Sequence, residues 1–129
     1  MADNIRVLTI DDEADFCYFV KKNLMHSGLF DVIIATNGKE GIKLAKEEKP
    51  DIILLDLFMP DMPGEDVAAA LKENDATANI PILYVTALAT NDDIGDDEEK
   101  NQIGNNYILP KPITTKKLIK MIMKILGEV

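Results

Sequence analysis

The chain has 129 residues, with 23 Asp and Glu against 14 Lys and Arg, a formal net charge of −9, and 47% hydrophobic and 29% charged residues. That is the composition of one globular domain. No apolar run nears the ~18 residues of a membrane span. Met1 to Asn4 shows no signal-peptide pattern, so neither membrane insertion nor secretion is expected. The single cysteine, Cys17, excludes an internal disulfide framework and a cysteine zinc cluster. The acidic excess argues against direct nucleic-acid binding, which rests on Lys and Arg, and leaves a protein or a cation as the partner.

Ile5 to Ile10 is a near-continuous apolar run, as in a strand covered on both faces, and it stops at Asp11-Asp12. From Glu13 to His26, Phe16, Cys17, Val20 and Leu24 recur at helical spacing, with Gly28 placed as a C-terminal cap. Val32 to Ala35 predicts a second strand, and Asn37 to Glu48 a second helix with Ile42 and Ala45 inward, closed by Pro50. Ile52 to Leu55 predicts a third strand ending at Asp56. The stretch Met59 to Gly64 must be a loop, because it holds two prolines and a glycine. Val67, Ala70 and Leu71 mark a third helix, Pro81 to Val85 a fourth strand and Tyr107 to Leu109 a short fifth. Thr114 to Leu126 predicts a last helix with Leu118, Ile119, Ile122 and Ile125 inward. Between them, Ala89 to Asn106 carries Asp92, Asp93, Asp96, Asp97, Glu98 and Glu99 and few apolar residues, so a fourth helix there would be short and weakly anchored.

Strands alternating with helices imply a single α/β domain over residues 1–129, a doubly wound, flavodoxin-like parallel sheet in the order 2-1-3-4-5. Ligands of such sheets bind outside the carboxyl ends of the strands, where strand order reverses. Those positions hold Asp11 and Asp12, Asp56, Thr86, and Lys111-Pro112. Each alone has a plainer reading. Asp12 could be the N-cap of the first helix, Asp56 could start a turn, Thr86 could close a strand and Lys111 could be solvated. Jointly they point to chemistry, since the strand order makes the first and third strands neighbours and so gathers Asp11, Asp12 and Asp56. Carboxylates that close repel by about 4 kcal/mol per pair at ~4 Å and an effective dielectric near ~20. Oxygen ligands without a second cysteine or a nearby histidine favour Mg²⁺, or Mn²⁺, over zinc or copper. Mg²⁺ on few carboxylates favours a phosphoryl ligand, with an Asp as nucleophile and a lysine and a threonine compensating charge.

Asp11-Asp12, then Asp56 running into Leu57-Phe58-Met59-Pro60 and on to Gly64, then Thr86-Ala87 and Lys111-Pro112, resemble the signature of a receiver domain of the two-component response regulators. The resemblance spans essentially the whole chain. It implies that Asp56 is the phosphoacceptor, fed by the phosphohistidine of a sensor histidine kinase, by a histidine phosphotransfer protein or by a small acyl phosphate. It implies Mg²⁺ on Asp12, Asp56 and the backbone carbonyl of Phe58, with Asp11 acting through a bound water. Lys111 would pair with Asp56 before phosphorylation and with the phosphoryl group after it, followed by a cis bond to Pro112. Thr86 would act as the switch, changing a surface of the fourth helix, fifth strand and last helix read by a downstream target or fused effector. A cytoplasmic, signalling protein that is not an enzyme toward other substrates is expected.

Three features depart from the family pattern. Its aromatic switch position holds Ile108, with Tyr107 one residue earlier on the opposite strand face, which implies a muted switch. The Asn91 to Lys100 stretch is longer than usual and acidic, read as a solvated face or as a surface for a basic partner. Phe58 and Leu88 are apolar where the family tunes hydrolysis, which implies a slowly hydrolysed phosphoryl group. Other classes fit less well. An aspartyl-phosphate phosphatase would need a second Asp at Phe58, and a nucleotide-binding fold would need a glycine-rich loop in place of Asp11-Asp12-Glu13. A receiver-like interaction module that works without phosphorylation remains the alternative, supported by Ile108. His26 reads as a partner of a helix end, and Cys17, Met121 and Met123 read as core or its border.

Overall fold

The structure, a computed structural model, describes residues 3–87, 102–103 and 106–127. Its elements in chain order are β1 (Ile5–Ile10), α1 (Ala14–His26), β2 (Phe30–Ala35), α2 (Gly38–Glu48), β3 (Ile52–Leu55), α3 (Gly64–Glu73), β4 (Ile82–Thr86), β5 (Gln102–Ile103), β6 (Asn106–Pro110) and α4 (Thr115–Leu126). The sheet order is β2-β1-β3-β4-β6-β5. The first five of these run parallel, which is the anticipated 2-1-3-4-5 order. β5 is an unanticipated antiparallel edge strand on β6, pairing Gln102 with Tyr107 and Ile103 with Asn106. The proposed fourth helix, the acidic Asn91 to Lys100 stretch and Leu88 lie outside the described residues.

Side chains alternate across each strand, so the sheet has two cores. On one face Val7, Leu54, Leu83 and Leu109 pack with Val20 and Leu24 of α1 and with Leu118 and Ile122 of α4. On the other, Leu8, Ile10, Ile53, Leu55 and Ile82 pack with Ala45 of α2 and with Val67 and Leu71 of α3. Cover on both faces is why β3 reads as an unbroken apolar run and β1 as a nearly continuous one. Each fully buried Leu or Ile here contributes about 1.5–3 kcal/mol relative to exposure. Among the described residues no helix is long and apolar enough to cross a membrane.

The ends of elements follow local chemistry, with some corrections. Asn37 caps α2 by accepting from the Glu40 N–H at 2.8 Å, and Thr114 caps α4 by accepting from the Lys117 N–H at 3.2 Å. Gly28 follows α1 at φ +80°, a conformation that a side chain would strain. The cap residue of α1 is Glu13 rather than Asp12. β2 begins at Phe30, not Val32, because Phe30 is buried and pairs with Ile5. On α3, Ala68 rather than Ala70 is buried beside Val67 and Leu71. On α4, Met121 joins Leu118 and Ile122 in the core while Ile119 and Ile125 are half-buried.

Candidate functional site

Backbone hydrogen bonds bring the strand ends together. The Asp11 N–H donates to the Ala35 carbonyl at 3.1 Å and the Asp56 N–H to the Ile10 carbonyl at 3.1 Å, which sets Asp56 beside the end of β1. The Lys111 N–H donates to the Thr86 carbonyl at 3.0 Å, tying the ends of β4 and β6. The loop after Asp56 folds back so that the Gly64 N–H donates to the Leu57 carbonyl at 2.8 Å. A Cβ on Gly64 would collide with the Asp56 carbonyl oxygen, so this close approach requires glycine. Thr86 ends β4 and is buried, and the bond between Lys111 and Pro112 is cis.

Asp11, Asp12 and Asp56 each offer an oxygen within 4.8 Å of the others. Asp11 is 2% exposed and Asp56 6%, whereas Asp12 faces solvent. Burial, only partly offset by Lys111 and the Glu13 N–H, pushes the Asp11 carboxyl above the usual carboxylate range. Burial and then the Asp11 charge push Asp56 up as well, against the pull of Lys111 and of the Phe58 N–H. Asp11 Oδ1 accepts from the Glu13 N–H at 2.9 Å, and its buried Oδ2 pairs with the Lys111 ammonium at 2.7 Å. A crowded set of carboxylate oxygens, two of the three residues desolvated, fits a small divalent cation such as Mg²⁺.

Lys111 differs from expectation. Its ammonium sits 2.7 Å from Asp11 Oδ2 and 2.7 Å from Glu13 Oε1, and it makes no ion pair with Asp56. It lies among Asp11 and Glu13, which precede α1, and the Phe16 ring of α1, 4.4 Å from the ammonium. Desolvation acts to lower the Lys111 pKa, but the contacts with Asp11 and Glu13 outweigh it and hold it above the ordinary lysine value. Glu13 was not singled out by sequence reasoning. Its only signal was being a third carboxylate directly after the pair.

Phe58 is 60% exposed and lines an open groove with Asp12, Leu57, Met59, Pro60 and Pro63. Ile108 is buried and pairs in register with Tyr84, while Tyr107 is half-buried on the opposite face, with the Lys124 ammonium 6.0 Å from its ring. His26 is exposed in the last turn of α1. Cys17 is buried with its thiol donating to the Asp11 carbonyl at 3.3 Å, and burial pushes its pKa up to about 12, which makes it a core group rather than a reactive one. Met121 is buried and Met123 half-buried.

Three comparisons place this geometry among known proteins. The model of the response regulator receiver domain matches residues 7–123. The polar-differentiation response regulator DivK of Brucella anthropi is 34% identical over 118 residues, covering 92% of this chain and 92% of its own. The solved signal receiver domain of the DNA binding response regulator protein (merR) from Colwellia psychrerythraea 34H is 26% identical, with a TM-score of 0.76 over 96% of this chain and 99% of that one. Chemotaxis protein CheY4 of Vibrio cholerae, at 24% identity and a TM-score of 0.79 over 95% of this chain and 98% of its own, shares the fold. A family match over most of the length, together with a relative above the level at which fold and family coincide, leads to one conclusion: the chain belongs to the response regulator receiver domain family.

Proposed function

We propose that this chain is a phosphoacceptor that takes a phosphoryl group on Asp56 from a sensor histidine kinase or histidine phosphotransfer protein, or from a small acyl phosphate. The observation that carries the reading is the gathering of Asp11, Asp12 and Asp56 within 4.8 Å at the ends of β1 and β3, beside the Lys111 ammonium. A carboxylate oxygen of Asp56 attacks phosphorus as the bond to the donor breaks and the donor leaves with the bonding electrons. Asp12, Asp56 and the Phe58 carbonyl would hold Mg²⁺ or Mn²⁺, with Asp11 contributing through a water. The ion, when bound, neutralises charge on the phosphoryl oxygens. Lys111 supplies a second cation to those oxygens, and the Thr86 hydroxyl, at the end of β4, supplies a hydrogen bond.

Reorganisation of Thr86 shifts a pre-existing equilibrium and is read by a target protein, or a fused effector, at the surface around β6 and α4. Ile108, buried beside Tyr84, lacks the hydroxyl and ring of an aromatic switch, so the transition is carried by repacking around it and around Tyr107. Phe58 lines the open groove beside Asp12, an apolar group on the side that water would approach, which supports a long phosphorylated lifetime. A lifetime no longer than that of Phe58→Asn would refute this part. The protein acts as a cytoplasmic signalling element, not as an enzyme on other substrates.

Intact mass after incubation with Mg²⁺ and acetyl phosphate, run beside Asp56→Asn and beside a chelated sample, tests the reading. One metal-dependent phosphoryl adduct absent from Asp56→Asn is expected. No adduct on folded protein, with either acetyl phosphate or a histidine phosphodonor, would refute it in favour of an interaction module.

A further inference from the structure

Lys111 has two carboxylate partners in this structure and neither is Asp56. Its side chain is 10% exposed, its ammonium contacts Asp11 Oδ2 and Glu13 Oε1 at 2.7 Å each, and the Phe16 ring covers a further side at 4.4 Å. An ammonium has three N–H groups. With two of them directed at carboxylates and a ring closing another approach, engagement of a group on Asp56 requires that one existing contact be given up. Asp11 is the buried partner, with a side chain 3% exposed, and stripping the ammonium from it would leave a desolvated charge unpaired. Glu13 is 61% exposed, so water replaces its contact at small cost. The contact that yields is therefore the one with Glu13.

We propose that Glu13 is a positioning residue for Lys111: it parks the ammonium on the α1 side of Asp11 and competes with the phosphorylated Asp56 for it. The inference rests on the phosphoacceptor reading above and adds to it a restraint built into the resting site. Glu13 itself touches neither the acceptor oxygen nor the incoming phosphoryl group. Its effect runs through Lys111, so removing its charge frees the lysine to meet the developing charge on the phosphoryl oxygens.

The test uses the full chain, with wild type, Glu13→Ala, Glu13→Gln, Lys111→Ala and the double variant Glu13→Ala/Lys111→Ala. Phosphoryl uptake from acetyl phosphate in Mg²⁺ is timed by intact mass. The Lys111 side-chain methylene resonances are followed by NMR without metal or donor. Glu13→Ala is expected to take up phosphoryl groups about two- to fivefold faster than wild type, the range of an exposed ion pair. Glu13→Gln, which keeps an acceptor oxygen without the charge, should fall between them. The acceleration should vanish in the Lys111→Ala background, as a double-mutant cycle requires of a residue acting through another. The Lys111 resonances should move in Glu13→Ala before any donor is added. Unchanged or slower uptake, an equal acceleration without Lys111, or unmoved Lys111 resonances would each overturn the proposal. Failure of wild type itself to take up a phosphoryl group would overturn the phosphoacceptor reading instead. If Lys111→Ala takes up no phosphoryl group, faster uptake by Glu13→Ala together with moved Lys111 resonances supports the proposal, and the loss of either overturns it.

Discussion

Gly64 ties the stability of the fold to the position of the acceptor, and Gly64→Ala should damage both. A Cβ there would overlap the Asp56 carbonyl oxygen and lie 2.8 Å from Leu57 Cα and 3.0 Å from the Asp56 carbonyl carbon. All three are backbone atoms, so no rotamer change relieves the clash. Either the first turn of α3 moves away, losing the 2.8 Å bond from the Gly64 N–H to the Leu57 carbonyl, or the Asp56–Leu57 peptide moves. Overpacking of this kind costs about 1–3 kcal/mol and the lost hydrogen bond about 1 kcal/mol. For a domain of this size each kcal/mol corresponds to about 3–5 °C, so the melting temperature should fall by about 6–20 °C. A displaced Asp56 should also take up phosphoryl groups at least about tenfold more slowly, because misplacement near 1 Å costs up to ~100-fold. Thermal melting by circular dichroism and timed intact mass read the two effects. Gly28→Ala is the control: φ is +80° with nothing within 4 Å, so it should lose about 1–2 kcal/mol to backbone strain and leave uptake unchanged. A Gly64→Ala protein melting within about 1 °C of wild type would show that the loop has slack and refute the reasoning.

Further outcomes follow from the buried polar groups. Thr9 Oγ1 is buried without a hydrogen-bond partner, so Thr9→Val, which keeps the shape, should raise stability by about 1 kcal/mol in urea unfolding; a loss would mean that the hydroxyl is satisfied. Burial and the Asp11 charge raise the Asp56 pKa in the folded state, so its favourable contribution is complete below the ordinary aspartate value and is lost as pH rises through the higher folded value. Without metal, Asp56→Asn should therefore gain over wild type as pH rises, and a melting-temperature gap that does not change with pH would contradict this. Lys111→Ala removes the cation beside buried Asp11 and should cost the metal-free protein about 3–5 kcal/mol. Because the ammonium also competes with a dication for Asp11, Mg²⁺ should stabilise Lys111→Ala more than wild type, where ion at about 100-fold over its Kd adds about 2.7 kcal/mol. An equal or smaller gain in melting temperature would contradict that competition.

The parts of this protein legible in its sequence are those set by pattern. β1 and β3 lie in the middle of a sheet covered on both faces, so Ile5 to Ile10 reads as a nearly continuous apolar run and Ile52 to Leu55 as an unbroken one. Parallel topology then delivers Asp11, Asp12 and Asp56 to one edge without any knowledge of packing. Boundaries were less legible because pairing decides them. Phe30 extends β2 by pairing with Ile5, and the two residues of β5 exist only as partners of β6, with no periodicity of their own to read. The partner of Lys111 was illegible for a related reason. Counting charges at the strand ends says that the lysine meets a carboxylate, but four carboxylates lie nearby. In the fold it meets Asp11 and Glu13, the latter 98 positions away in the chain, beside the Phe16 ring of α1. The composition of a site is thus carried by spacing and topology, whereas its resting connectivity is a property of tertiary packing, which brings one lysine to two carboxylates that lie far from it in the chain.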